Sequence, residues 1–283
     1  MIVTKIHNGL GNQMFQYAAG RRLAAKRGTL LRMDLLWFKN HSDRHFGLEC
    51  FNIEATAASV FDILKLRGLR MKDWRGYVPG DRITGSHCIE TLRRFDPSVL
   101  QRSRDTYLQG YFQSEEYFAD KADLIRRDFT LREPLRARCE THRKSILGAQ
   151  SVSLHIRRQD YKTPGLDQYP LPISYYQEAI QYVASRVGNP HFFVFSDEPE
   201  WAAANLFTKC PMSIVSWKGS RDYEELQLMM ECRHHIIANS SFSWWGAWLN
   251  PRVDKIVVAP KQWQRKESSR EMLDILPSTW IKL

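Results

Sequence analysis

The sequence predicts an α/β protein built on doubly wound parallel sheets, and three observations carry that expectation. Residues 151–259 alternate short apolar runs with segments of helical periodicity, the pattern of βαβ units. Each of those runs ends in small or charged polar residues, and ligands bind at the carboxyl ends of strands in such sheets. The chain also opens with an apolar run, a glycine turn and a helical stretch. At 283 residues it can bury one large core or two of medium size.

In chain order, Ile2–Ile6 reads as a strand and His7-Asn8-Gly9-Leu10-Gly11-Asn12 as a turn. A helix follows from about Gln13 to Arg27, with Asn12 as its N-cap and Gly28 as its stop. Gly9 and Gly11 fit the start of a dinucleotide fingerprint, but Met14 stands where the third glycine belongs. Thr29–Met33 reads as a second strand ending at Asp34, a turn residue or an acidic ligand. A helix-like stretch over 59–74 carries Lys65, Arg67, Arg70 and Lys72, with Arg75 after it. Its default reading is a solvated basic face, with contact to an anionic membrane through residues 65–75 as the minority alternative. Tyr107–Phe112 reads as a strand, Ser114–Phe129 as a helix, and Pro134 starts another helix ending near Leu147.

The second half opens with the strand Ser151–His155, followed by Arg157, Arg158 and Asp160. Adjacent guanidiniums at the end of a buried strand call for an anion, and each planar fork suits phosphate oxygens. Ser174 to Gln177 reads as a capping box, with the helix running to about Val187. His191–Phe195 is a strand ending in Ser196-Asp197. Ser213–Ser216, His235–Ala238 and Lys255–Ala259 complete the strands, with a helix over Asp222–Cys232. A further helix starts at Phe242 after Asn239-Ser240-Ser241, and its Trp244, Trp245 and Trp248 read as core. His155–Asp160, Ser196–Asp197 and Asn239–Ser243 should therefore meet in one crevice suited to a diphosphate, with helix-start N–H groups assisting.

Composition narrows the partners. Lys+Arg 41 against Asp+Glu 31 leaves +10, which favours anionic ligands. Basic residues are spread along the chain and no RRM, KH or zinc-finger pattern occurs, so a nucleic-acid-binding protein is a remote alternative and no nucleic-acid partner is expected. The five cysteines include no CxxC pair, so neither a zinc site nor a disulfide framework is indicated. The opening MIVTKIHNG has no long apolar run and no cleavage site. The expectation is a cytoplasmic protein, peripheral to the membrane at most.

NGLGNQMFQYA at 8–18, HIRRQDY at 155–161, FSDE at 195–198 and ANSSFSWWGAWL at 238–249 together resemble the bacterial-type α-1,2-fucosyltransferases of glycosyltransferase family eleven. The HxRR element is also similar to that of α-1,6- and protein O-fucosyltransferases, and Gln159 replaces a glycine usual in family eleven. The resemblance implies a GT-B architecture, two Rossmann-like domains facing across a cleft: an acceptor-side domain over 1–149 and a donor domain over 150–265. A terminal segment, 266–283, is expected to pack back on the first domain. It further implies GDP-β-L-fucose as donor, inverting transfer to O2 of a terminal galactose, and no metal or other cofactor. The absence of any DxD pair agrees with the last point.

On this resemblance Arg157 meets the β-phosphate and stabilises charge on the leaving oxygen, and Arg158 assists or holds the loop. His155, Ser240, Ser241, Phe242 and Ser243 line the nucleotide, with Asp197 and Glu225 as candidates for ribose or guanine contact. Gly9, Gly11, Asn12 and Gln13 form the cleft loop of the first domain, Asn12 reaching the reacting centre. Asp160 is named as general base, with Asp167, Asp34 or the phosphate itself as alternatives. The nearest competing reading keeps the fold and changes the sugar donor, acceptor or linkage.

Overall fold

The computed structural model describes residues 1–41, 44–67, 86–91, 94–159, 169–217, 219–264 and 274–283. The chain divides into two compact units, Met1–Arg132 and Glu133–Leu283.

The first unit is a five-stranded parallel sheet. β1 (Ile2–Lys5) lies at its centre, flanked by β2 (Leu31–Asp34) and β5 (Thr106–Gln109), with β3 (Thr56–Ala57) and β4 (His87–Ile89) at the edges, in the order β3-β2-β1-β5-β4. α1 (Leu10–Arg27) returns from β1 to β2. It is rich in Ala, with Leu, Gln and Arg, which cost little entropy in a helix, and it buries almost every side chain from Leu10 to Ala24. Gly20 permits this close approach: a Cβ there would sit 2.1 Å from Thr4 Oγ1 on β1. Gly28, at φ 56° and ψ 48°, ends the helix by donating to the Ala24 and Ala25 carbonyls. The N-cap is Gly9, with no side-chain cap, so Asn12 lies inside the first turn rather than capping it.

α2 (Val60–Arg67) covers β1 and β5 with Ile63 and Leu66. It carries Lys65 and Arg67 of the basic stretch, whose remaining basic residues lie outside the described residues. The single helix expected over 114–129 is two short 3-10 turns followed by α3 (Ala122–Asp128). Phe118, at φ −149°, leaves helical geometry, which lets Tyr117 and Phe118 both be fully buried. Asp128 binds the chain back to α1, accepting from the Tyr17 hydroxyl and from Arg21 Nε, both at 2.7 Å.

The second unit carries a six-stranded parallel sheet. Its elements are α4 (Ala137–Leu147), β6 (Gln150–Ile156), α5 (Ile173–Ala184), β7 (Pro190–Ser196), α6 (Pro199–Asn205) and β8 (Met212–Ile214). α7 (Asp222–Glu231), β9 (His234–Ile236), α8 (Ser241–Leu249), β10 (Val257–Ala259) and β11 (Ile281–Lys282) follow. The order β11-β10-β9-β6-β7-β8 is the doubly wound 3-2-1-4-5-6 arrangement, reversing direction between β6 and β9. Helices cover both faces of the central strands, so β7 is an apolar run and on β6, where Ser151, Ser153 and His155 alternate with Val152, Leu154 and Ile156, only Gln150 is exposed.

Several expectations are corrected here. The division falls between Arg132 and Glu133, not at 149/150, because Arg136 and Arg143 tie α4 to Glu224 and Glu231 of α7. The described end of the chain belongs to the second unit: β11 pairs in parallel with β10, and Trp280 packs on Trp244. No capping box forms at Ser174; α5 starts after Pro172, and a reach-back bond of that kind occurs at α7, where Glu224 Oε2 accepts the Arg221 N–H at 3.3 Å. Trp244, Trp245 and Trp248 are core as expected, with Trp244 Nε1 donating to the Ile275 carbonyl at 2.6 Å. Among the described residues no helix is long and apolar enough to cross a membrane.

Candidate functional site

The reversal of strand order between β6 and β9 selects the place where a ligand fits the second unit. Pairing brings Ile156 of β6 beside Ser196 of β7, and Leu154 beside Ile236 of β9. Residues 155–159, 196–198 and 239–243 therefore share one carboxyl edge, the convergence that the strand ends predict.

Arg157 follows β6 directly, with a side chain 30% exposed and its Nε 3.4 Å from Asp197 Oδ2. The same carboxylate accepts the backbone N–H of Arg158 at 3.0 Å and of Gln159 at 3.0 Å. Asp197 thus shapes the loop that presents Arg157. Arg158 is turned aside: its Nε donates to Glu198 at 3.0 Å and its guanidinium lies 3.7 Å above the Trp201 ring. That makes it a support of the loop, acting through Glu198 and Trp201. Asp160 and Asp167 lie outside the described residues.

Glu225 of α7 stands in the same electrostatic neighbourhood. Burial pushes its carboxyl pKa up, while hydrogen bonds from Ser220 and Ser216 and the charge of Arg157 pull it down. The Ser220 hydroxyl donates to Oε1 at 2.6 Å, and Ser216 also accepts the N–H of Ser196 at 2.9 Å. Arg157 therefore pairs with Asp197 and lies near enough to Glu225 for its charge to favour that carboxylate.

α8 points its start at this edge. Ser240 is the N-cap, its Oγ accepting from Phe242 N at 3.4 Å, and no acidic residue occupies the first turn. Ser241 opens the helix, and Ser243 Oγ donates back to the Ser240 carbonyl at 3.3 Å. These are capping roles that leave the helix start electropositive. His155 lies buried beneath, its ring 5.7 Å from that of Phe242, and its Nδ1 has no hydrogen-bond partner among the described residues.

Burial, with Arg157 nearby, lowers the His155 pKa to about 3. The unfolded chain protonates this imidazole near its ordinary value of about 6.5, whereas the folded one stays neutral. Between those values the unfolded state binds more protons, so stability falls as pH falls, by up to about 1.4 kcal/mol per pH unit from this site. Denaturant melts at pH 7.5, 6 and 5 should show the loss, and His155→Gln should make it shallower; identical slopes would contradict the assignment.

In the first unit the cleft-loop residues divide. Gly9 caps α1, and Gly11 and Asn12 lie in its first turn; Asn12 Oδ1 accepts from Gln113 Nε2 at 2.8 Å. Gln13 is buried, donating to the Asn8 and His45 carbonyls and accepting from Gly47 N. It therefore braces the loop that opens α1. Asp34 is also buried, accepting from the Tyr107 hydroxyl at 2.6 Å and from Leu36 N at 2.9 Å, the bonds of a structural turn. Sequence reasoning missed Glu198, Trp201, Ser216 and Ser220; the first two lie within FSDEPEW, where the acidic pair beside a tryptophan was the available signal.

Residues 87–283 match the family described as Glycosyl transferase family 11. The chain is 30% identical to an alpha-1,2-colitosyltransferase of Escherichia coli, covering 100% of this chain and 99% of that protein. It is 34% identical to the O-antigen biosynthesis glycosyltransferase WbnK of Escherichia coli, over 98% and 99%. Among solved structures, fucosyltransferase NodZ from Bradyrhizobium matches at TM-score 0.50 and 14% identity, covering 88% of this chain and 93% of that one. NodZ α-1,6-fucosyltransferase co-crystallised with GDP gives the same TM-score and identity over 91% and 94%. These likenesses establish the GT-B class, to which the two parallel-sheet units conform.

Proposed function

Because the chain belongs to glycosyltransferase family 11, we propose that it transfers L-fucose from GDP-β-L-fucose to a sugar hydroxyl. The reaction proceeds with inversion and without a metal, onto O2 of a terminal β-galactose in a cell-surface glycan or its precursor. The observation that carries the donor half is Arg157, held by Asp197 at the strand-order reversal beside the start of α8. NodZ crystallised with GDP supports the same nucleotide.

The acceptor oxygen attacks the anomeric carbon opposite the diphosphate, the C–O bond to GDP breaks, and its electron pair passes to the β-phosphate oxygen. Arg157 and the α8 N–H groups meet that growing charge, the type of preorganised contribution that commonly supplies the largest part of a rate enhancement. His155, kept neutral, lines the nucleotide without adding charge. The proton of the acceptor hydroxyl goes to Asp160 in this reading.

A second donor is favoured by one observation, the full-length likeness to a colitosyltransferase. Colitose is fucose without its 3-hydroxyl, and a site built to bond that hydroxyl rejects the deoxy sugar strongly. Turnover on a β-galactoside in excess EDTA should give kcat/KM for GDP-fucose at least about tenfold above that for GDP-colitose. The reverse ratio would install colitose, and activity restored only by a divalent cation would overturn the metal-free mechanism.

A further inference from the structure

On one side of Arg157 the second sheet continues through β7 to its edge strand β8. The loop that leaves β8 for α7, described over residues 215–217 and 219–221, follows the carboxyl end of that strand. Two of its hydroxyls converge on one carboxylate. Ser220 Oγ donates to Glu225 Oε1 at 2.6 Å, and Ser216, whose Oγ accepts the Ser196 N–H at 2.9 Å, also bonds to Glu225. The charge of Arg157 reaches the same carboxylate. A nucleoside diphosphate seated on Arg157, with its nucleoside directed towards β8, therefore meets Glu225, an acceptor for ribose hydroxyls or base N–H groups.

This loop is gripped by α4. Trp217 is half-buried and packs on the core that holds Phe195, Val215 and Met229. Arg138 and His142 lie one turn apart on α4 and so share a face, and both pack on the indole. The guanidinium is 4.7 Å from the ring centroid, and the imidazole stacks at 5.6 Å, 16° from parallel. Burial and the adjacent Arg138 lower the His142 pKa, so an uncharged ring makes that stack at neutral pH. The Trp217 carbonyl accepts the Ser220 N–H at 3.0 Å, and Gly219, at φ 87°, supplies the left-handed residue of the turn. Arg136, the N-cap of α4, donates to the Gly219 carbonyl at 3.2 Å and to Glu224 at 2.6 Å.

The hydroxyls that aim Glu225 thus belong to residues on either side of Trp217 in the chain. An indole displaced from its stack moves both of them. A recognition group fixed before its ligand arrives avoids the ordering cost that a mobile loop adds to binding.

We propose that Trp217, held by Arg138 and His142 of α4, is a positioning residue for donor recognition: it presets the loop whose Ser216 and Ser220 aim Glu225 at the nucleoside end of the nucleotide sugar. The proposal rests on the transferase reading above and deepens it. Trp217 acts through Glu225 and not on the reacting atoms, so its loss reads out in binding and not in the chemical step.

Calorimetric titration with GDP and steady-state kinetics with GDP-fucose test it, with folding checked by thermal melts. In Trp217→Ala the Kd of GDP and the donor KM should rise about tenfold, with kcat and acceptor KM held within about twofold. Trp217→Phe keeps a ring to stack on His142 and should recover most of the affinity. Arg138→Gln, at an exposed position, should raise the Kd severalfold and carries the test if Trp217→Ala does not fold. A double-mutant cycle with Glu225→Gln tells a positioning role from general loosening: the losses should overlap, leaving the double variant no weaker than Glu225→Gln alone. Additive losses, or GDP affinity unchanged in Trp217→Ala and Arg138→Gln, would overturn the brace and leave the transferase reading standing. Absence of GDP binding by wild type would overturn both.

Discussion

Replacing Arg157 by Ala should lower kcat on the order of 10²–10³-fold, the cost typical of losing one preorganised donor to a developing oxyanion. The expectation follows from placement. Arg157 leaves the end of β6 at the sheet's reversal, beside an α-helix start with no acid in its first turn. Only charge that grows during bond breaking makes its contact worth more in the transition state than in the ground state. Arg157→Lys should recover little, because an ammonium lacks the planar fork. The fold should survive in both variants, since the side chain is 30% exposed. A steady-state assay with GDP-fucose, paired with a thermal melt, checks this; a variant with full kcat would remove Arg157 from the chemistry.

Asp197→Ala should lower kcat on the order of 10²-fold through a different route, displacement of Arg157. The carboxylate holds two successive backbone N–H groups, of Arg158 and Gln159, and faces Arg157 Nε at 3.4 Å. Hydrogen bonds to a charged group each contribute about 1.5–3 kcal/mol, so the loop loses its main anchor at once. Added guanidinium distinguishes the two defects. It should restore part of the activity of Arg157→Ala, whose site keeps its shape, and none of that of Asp197→Ala. Equal rescue of both would argue that Asp197 does not order the loop.

The second unit was legible because β7 reads as an apolar run and β6 as Val, Leu and Ile alternating with small polar residues and His155, each followed by polar residues. Their ends could be placed, and with them His155, Arg157, Ser240 and Phe242. The partners of those residues could not. Asp197 was visible as an acid at a strand end, but its contact with the N–H groups of Arg158 and Gln159 depends on parallel register across some forty residues. The first unit was less readable because β3 and β4 have two and three residues, too short for any periodicity. The boundary was misplaced for a related reason: α4 belongs to the second unit through ion pairs with α7, contacts that no local pattern announces. Likewise β11 is a two-residue strand whose pairing with β10 is wholly non-local.

The claim that the edge between β6, β7 and β9 is the nucleotide-diphosphate site is tested most directly by amide hydrogen exchange with GDP in excess EDTA. Protection should appear over residues 155–159 and 196–198 and at the start of α8, residues 239–243, and should weaken in Arg157→Ala. Absence of GDP binding, or protection confined to segments away from this edge, would contradict the account.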